Sequence, residues 1–404
     1  MKIALVIERF DTDGGGAERS LAQIAKHLLA RGHAVTVVSG SYCVRPQMPD
    51  VGFQSLFSDK RVWGVSVLQL ARWVRKHLVD GPYDCSLSVT TALPAMVLQP
   101  RGGTVRETLA RNVALRRNAR LRTFKRLVIA TSPKQRALLS IEKRTLRDPM
   151  VMRIVAVSQY VVQQLQRHYG IDPSRVDVIP NAADMPEVDT AQRQAWRQRV
   201  RSGFGVPEDR LVYLFAAHNP RLKGTEVLLR AVGRLRDRGI EATVLLAGRN
   251  TYAQQRLAAT LGIRDRVRFV GTTNQMAGLY AAADVTVLPT YYDPASKVVI
   301  ESLMMGVPAI TTVFNGAADL VIGSDHRPRG RVLADPTAAD ALADAMAELA
   351  DPQVRIACAQ ATAGLAEALS MKTHVDRLEA VLEAAADGTV RWCMTSDAGV
   401  WQMR

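Results

Sequence analysis

The chain has 404 residues, 48% of them hydrophobic and 23% charged, which excludes a disordered or fibrous protein and suits two cores of about 150–200 residues each. Lys and Arg number 53 against 38 Asp and Glu, and the resulting +15 points to an anionic partner: nucleic acid, a membrane surface or a phosphorylated substrate. The start MKIALVIERF is too short and too soon charged for a signal peptide, no apolar run reaches the roughly 18 residues of a membrane helix, and the four cysteines contain no C-x-x-C pair, so a reducing cytoplasm is expected.

Residues 3–8 predict a buried strand, followed by the Gly14-Gly15-Gly16 turn and a helix with Leu21, Ile24, Leu28 and Leu29 on one face. Residues 34–38 read as the next strand, and residues 95–98 as a later one. Strand 152–157, helix 159–169 and strand 176–180 close the first series. A polar, Gln/Arg-rich segment (189–202) follows. The alternation then restarts with strands at 211–216, 242–247, 267–270, near 285–289 and 309–312, separated by helices at 224–238, 252–262, 274–282 and 297–305. Short apolar strands alternating with helices imply parallel sheets, so the expected class is α/β, two doubly wound Rossmann-like domains in sequence. The expected division is 1–185, 186–370 and a final helix and tail, 371–404, returning towards the first domain.

Several segments could carry chemistry. Gly15 and Gly16 stand before a helix N-terminus, where bare backbone N–H groups favour a phosphate. Arg19 occupies the third glycine position of G-x-G-x-x-G, which disfavours a dinucleotide site. Asp11-Thr12-Asp13 spells D-x-D, but so short a pattern is better read as loop solvation than as a metal site. Arg221 and Lys223 follow a strand's carboxyl end, where a pair of cations suits a diphosphate leaving group. Asp293 and Glu301 stand eight positions apart around a helix start at Ala295, Ser296 and Lys297. There the loop acid can accept from sugar hydroxyls, the helix start can bind an anion, and Glu301 can take a ribose diol. His33 and His218 are read as structural rather than catalytic. Arg101-Gly102-Gly103 ends a first-domain strand and is the candidate acceptor-side segment.

Taken together, the Gly14–Gly16 loop, Arg31-Gly32-His33, Val178–Asp184, Arg221-x-Lys223-Gly224, Ala281–Asp284 and the acid-x7-Glu pair Asp293/Glu301 resemble the retaining GT-B glycosyltransferases of family 4. Within that family the chain is similar to the lipopolysaccharide-core glucosyltransferases. The resemblance implies two domains facing a cleft and transfer of a hexose from a nucleotide sugar, most simply a UDP-sugar, to a saccharide or lipid-linked acceptor. It also implies Arg221 and Lys223 on the diphosphate, Asp293 on the sugar and Glu301 on the ribose, with no metal or other cofactor. Two departures stand out: the family's usual first acid is Glu where this chain has Asp293, and Ala217-His218 replace an Arg often found after the strand. The alternatives are a nucleotide-sugar 2-epimerase of the same fold and a basic nucleic-acid-binding protein.

The charge is concentrated. Between Arg101 and Arg147 there are eleven Arg and three Lys against Glu107 and Glu142. Only Phe124 offers an aromatic for base stacking, so nucleic acid is disfavoured. With Leu121, Phe124, Leu127, Val128 and Ile129 interleaved, an anionic membrane surface or a phosphorylated glycolipid fits better, and a peripheral position on the inner face of the cytoplasmic membrane follows. The tail with Trp392, Cys393, Met394 and Trp401 is expected either to insert at an interface or to pack on the first domain.

Overall fold

The structure is a computed structural model that describes residues 1–12, 15–43, 48–56, 67–116, 118–249, 252–323 and 327–388. Gly14, Asp13, Arg117 and the tryptophan-bearing tail lie outside the described residues. The chain forms two compact units, Met1–Pro180 with Met371–Arg404, and Asn181–Ser370.

In the first unit the order is β1 (Lys2–Asp11), α1 (Gly16–Ala30), β2 (Ala34–Cys43), β3 (Gly52–Ser55), α2 (Val67–Asp80), β4 (Cys85–Ser88) and β5 (Val97–Leu98). Then come α3 (Val105–Ala114), α4 (Ala119–Thr131), α5 (Pro133–Leu146), β6 (Arg153–Ala156), α6 (Gln159–Tyr169) and β7 (Val176–Val178). The seven strands are parallel, in the order β3-β2-β1-β4-β5-β6-β7. Ile3 to Ile7 of β1 are all buried, as a central parallel strand covered on both faces requires. Helix α1 buries Leu21, Ile24, Ala25 and Leu28, one stripe at helical spacing.

The second unit contains α7 (Thr190–Gly203), β8 (Leu211–Ala217), α8 (Thr225–Asp237), β9 (Ala242–Gly248), α9 (Tyr252–Thr260), β10 (Val267–Gly271), α10 (Met276–Ala282) and β11 (Val285–Val287). It continues through α11 (Lys297–Met304), β12 (Ala309–Thr312), α12 (Ala318–Ile322), β13 (Gly330–Leu333), α13 (Ala339–Glu348), α14 (Pro352–Gln360) and α15 (Leu365–Ala368). Its six strands are parallel and ordered β10-β9-β8-β11-β12-β13, the same doubly wound pattern. Finally α16 (Met371–Ala386) rejoins the first unit, packing on α1 and β4.

Three features differ from expectation. The polar segment 189–202, to which no element was assigned, forms α7, capped by Asp189 accepting from Gln192 N at 2.7 Å. Its inward anchor is an arginine, Arg201, only 1% exposed, so hydrophobic periodicity cannot reveal the helix. The strand expected at 95–98 shrinks to Val97–Leu98. The first crossing between units falls at 180/181 rather than 185/186, because Ala183 N donates to Leu369 O at 3.2 Å and pairs with Ser370 across an isolated bridge.

The Arg31-Gly32-His33 turn has a structural task. Arg31 Nη1 donates to Glu379 Oε2 at 2.7 Å, His33 Nε2 meets Glu379 Oε1 at 2.5 Å, and Arg31 Nη2 reaches Asp376 at 2.5 Å. These bonds clamp α16 onto the first unit.

Candidate active site

In the second sheet the strand order reverses between β8 and β11, and the segments leaving these strands are bound to each other. Tyr291 N donates to Leu222 O at 2.9 Å, and Thr290 Oγ1 donates to the same carbonyl at 3.3 Å. At Gly224, φ is +82° and a Cβ would sit 2.1 Å from Pro289 O, so only glycine allows this approach. Lys223 Nζ consequently donates to Asp293 Oδ2 at 2.5 Å and to Tyr292 O at 3.0 Å. The two side chains stay partly open to solvent, at 19% and 16% exposure. Arg221 and His218 are exposed on the same loop, and neither side chain has a hydrogen bond or ion pair among the described residues.

Asp293 is held from three sides. Its N donates to Phe314 O at 2.9 Å, its O accepts from Gly316 N at 2.8 Å, and its Oδ1 accepts from Ala295 N at 3.2 Å. Beside it the buried Asn315 accepts from Ser296 N at 3.2 Å and Ala317 N at 3.0 Å, and donates to Thr311 Oγ1 at 2.8 Å. Asn181 Nδ2 donates to Ala295 O at 3.2 Å. The N–H groups of Ala295 and Ser296, offered to a donor by sequence reasoning, are thus used to shape the loop. The N-cap of α11, Ser296, makes no side-chain capping bond, and Lys297 follows it as the first residue of the helix. Asn181 belongs to the Val178–Asp184 motif, whereas Asn315, which shapes this loop, was not singled out from the sequence; an Asn-Gly pair just after an apolar strand was the available signal.

Glu301 lies one turn into α11. Tyr280 Oη donates to its Oε2 at 2.9 Å and to Val298 O at 3.2 Å. Burial, and then the Glu301 charge, push the Tyr280 hydroxyl well above its ordinary range, so it remains a neutral donor that orients the carboxylate.

The remaining candidates belong to the first unit. Gly15 is the N-cap of α1 in extended conformation, and a Cβ on Gly16 would meet nothing within 4 Å. At the end of β5, Arg101 Nη1 donates to Gln99 Oε1 at 2.7 Å. Gln99 Nε2 lies 3.5 Å from His374 Nε2, and His374 Nδ1 lies 2.8 Å from Pro180 O. Since the carbonyl can only accept, His374 carries its proton on Nδ1 and accepts from Gln99 through Nε2. Burial pushes the Arg101 guanidinium down to about 10. Gly103, at φ +68°, turns the chain into Thr104, which caps α3. Sequence reasoning also passed over Glu8, one of two acids in β1 with Asp11. Thr90 Oγ1 donates to Glu8 at 2.6 Å, and burial drives its carboxyl up.

The basic stretch owes its surface to two buried acids. Glu142 accepts from Thr91 Oγ1 at 2.9 Å, Val105 N at 2.7 Å, Arg106 N at 3.2 Å and Tyr169 Oη. Glu107 accepts from Arg111 Nε at 2.6 Å and Tyr160 Oη at 2.9 Å, and pairs with His168 Nε2 at 2.7 Å. Both carboxylates are 1% exposed, so the solvent-facing charges of 101–147 are all cationic. Helix α4 buries none of its residues, and it exposes Leu121, Phe124 and Leu127 at 50%, 65% and 60%.

Comparison with known proteins identifies the domains. Residues 14–186 match the family described as Glycosyltransferase Family 4, and residues 209–351 match Glycosyl transferases group 1. The chain carries the two domains of a glycosyltransferase. It is 32% identical over 277 residues to the D-inositol 3-phosphate glycosyltransferase of Geodermatophilus obscurus, 65% of this chain and 58% of the relative. The chain spans about half the length of the curated inositol phosphate glycosyltransferases it matches. Against the lipopolysaccharide glucosyltransferase WaaG of Escherichia coli it is 22% identical over 381 residues, 93% of this chain and 96% of that protein. The crystal structure of WaaG superposes with a TM-score of 0.73 at 20% identity, covering 94% of this chain and 99% of WaaG. Anabaena HepE in complex with UDP and glucose gives 0.63 at 18% identity, covering 95% and 100%. These likenesses establish the GT-B fold of two Rossmann-like domains. Among the described residues no helix is long and apolar enough to cross a membrane.

Proposed function

We propose that this protein is a retaining transferase that moves a hexose from a nucleotide sugar, a UDP-sugar first of all, to a saccharide or lipid-linked acceptor. The observation that carries this reading is the Lys223–Asp293 pair at the switch point, beside the start of α11. When a donor binds, its diphosphate competes with Asp293 for the Lys223 ammonium. Lys223, Arg221, Lys297 and the α11 dipole then stabilise the charge that develops as the bond to the sugar breaks. Asp293, released from Lys223 but still held by Ala295 N, turns its oxygens to the sugar hydroxyls. Glu301, steadied by Tyr280, takes the ribose. Cations perform the charge stabilisation that a metal performs elsewhere, so chelator should leave turnover unchanged, and a loss of activity on chelation would overturn this. The names of the relatives support glycosyl transfer, and the UDP and glucose of the HepE complex support a nucleotide-sugar donor.

The acceptor is drawn from an anionic membrane surface. Cations and exposed apolar side chains share α4, as interfacial binding requires, and this favours a peripheral cytoplasmic enzyme acting on a lipid-linked acceptor. Gly15, Gly16, Arg101, Gly102, Gly103 and Glu8 are the first-unit groups assigned to substrate. A thermal-shift panel of nucleotide sugars tests the donor: at one hundred times its dissociation constant the true donor stabilises by about 2.7 kcal/mol. Glu301→Ala should raise the donor KM with little change in kcat, and an unchanged KM removes the ribose assignment. The anomeric configuration of the product, read by NMR, tests retention.

A further inference from the structure

A cavity of about 250 Å³ in the second unit lies between α7, the segment leading into β11, the turn after α11, and α14. Ala281–Asp284 precede β11 and Gly306–Pro308 precede β12, so the cavity sits at the amino ends of these parallel strands. Lys223 and Asp293 follow the carboxyl ends, at the opposite edge of the same sheet.

Arg193, Arg197 and Arg201 recur every fourth residue and share one face of α7. Their circumstances are graded. Arg201 is saturated: it donates to the carbonyls of Ala282, Pro207, Glu208 and Arg210 at 2.8–3.1 Å and to Asp284 Oδ2 at 2.9 Å. Arg197 shares Asp284 at 3.2 Å and holds Glu208 at 2.9 Å. Asp284 also accepts from Val212 N at 2.7 Å. Arg193 is partly buried in the cavity wall over Gly306, yet its guanidinium has no hydrogen bond or ion pair among the described residues. Burial, and then the Arg197 charge, hold its proton affinity below the ordinary range. The third arginine of the wall, Arg355, donates to Leu349 O at 3.0 Å and Ala350 O at 2.9 Å and has no ion pair among the described residues. The cavity therefore has three guanidinium groups around a single acid that is already shared.

We propose that this cavity binds a dianionic phosphate group, with Arg193 as the principal ligand and Arg197 and Arg355 beside it. A tetrahedral dianion suits converging planar guanidinium forks. The volume exceeds that of a phosphate alone, and Ala359 and the exposed Ile356 on one wall suit the body of a phosphate monoester. An occupant at this edge does not compete with a nucleotide at the other, and the site stands whether or not the chain transfers sugar.

The test is titration of inorganic phosphate, and separately of glycerol 3-phosphate, into the full chain at constant ionic strength, saturated with UDP and followed by calorimetry. Arg193→Gln should weaken binding by about tenfold or more, the worth of one charge-assisted contact. Lys223→Ala should leave it unchanged. An equal Kd for the two probes assigns the site to the phosphate group alone, and tighter glycerol 3-phosphate assigns it to a monoester; either result upholds the site. In phosphate-free buffer Arg193→Gln should unfold at the wild-type temperature or above it, because a strained cation has been removed, whereas Arg201→Gln should unfold lower. The proposal is overturned if Arg193→Gln binds phosphate like wild type, or if it loses stability without phosphate as Arg201→Gln does.

Discussion

The two parallel sheets share one strand order and differ in what they place where that order reverses. At the β8/β11 edge a lysine and an aspartate meet at 2.5 Å, bonded into the loops on every side. At the β1/β4 edge the first unit places Glu8 against Thr90, and the densest run of its cations lies elsewhere, along α3, α4 and α5. On the function proposed above, one scaffold serves two tasks. A diphosphate needs a few preorganised charges at one point, whereas a membrane surface or a variable acceptor needs many cations spread over a face.

That contrast can be broken experimentally. The largest effect is expected from Lys223→Ala, which should cut kcat/KM by roughly 10²–10³ with the unfolding temperature nearly unchanged. A loss below tenfold would take the chemistry away from the second sheet's edge. Next is Glu142→Gln, which leaves several of its buried donors poorly matched and should destabilise by about 3 kcal/mol in urea unfolding. Wild-type stability would mean the cationic helices do not depend on a buried acid. Replacing Lys125 and Arg126 of α4 together with Gln should weaken binding to anionic vesicles by about 2 kcal/mol, at about 1 kcal/mol per charge. Sedimentation with vesicles measures this, and unchanged partitioning would assign the basic face elsewhere.

The smallest effects concern pH. Burial raises the folded Glu8 carboxyl above its ordinary 4.5, with the Glu18 charge adding and the Thr90 hydrogen bond opposing. Its contribution is therefore full below 4.5 and lost as pH rises through the folded value, so Glu8→Gln should stabilise relative to wild type at neutral pH. For Glu107, burial pushes upward but is outweighed by His168, Arg111 and Tyr160, and the folded carboxyl lies below 4.5. Its contribution is present above 4.5 and lost as pH falls through the folded value, so Glu107→Gln should destabilise at neutral pH and converge on wild type in acid. Urea midpoints across pH would show the two variants diverging in opposite directions.

Much of the architecture was legible in the chain itself. Apolar runs such as 3–7, 211–216 and 242–247 are covered on both faces, so their composition alone marks central parallel strands. The loops with Lys223 and Asp293 could be found because they follow such strands. Sequence also located the basic stretch, and the resemblance named the family. Strand β3 and helix α2 went unseen, and α7 was left as an unassigned polar segment because arginines rather than leucines hold it in place.

What only the tertiary structure decided is how each charge is employed. Glu107 and Glu142 count as two acids among fourteen cations in the sequence, yet both are buried and bonded, leaving the solvent-facing charges of the stretch cationic. Arg193, Arg197 and Arg201 are equivalent in spacing, yet one is saturated, one shares its acid and one has no partner among the described residues. The reason is physical. Hydrophobic periodicity is a local property that a window of ten residues records, but the worth of a charge depends on its solvation and on the groups that distant segments place beside it. Asp284, more than eighty residues beyond Arg201, decides which arginine is satisfied, and nothing local to α7 announces it.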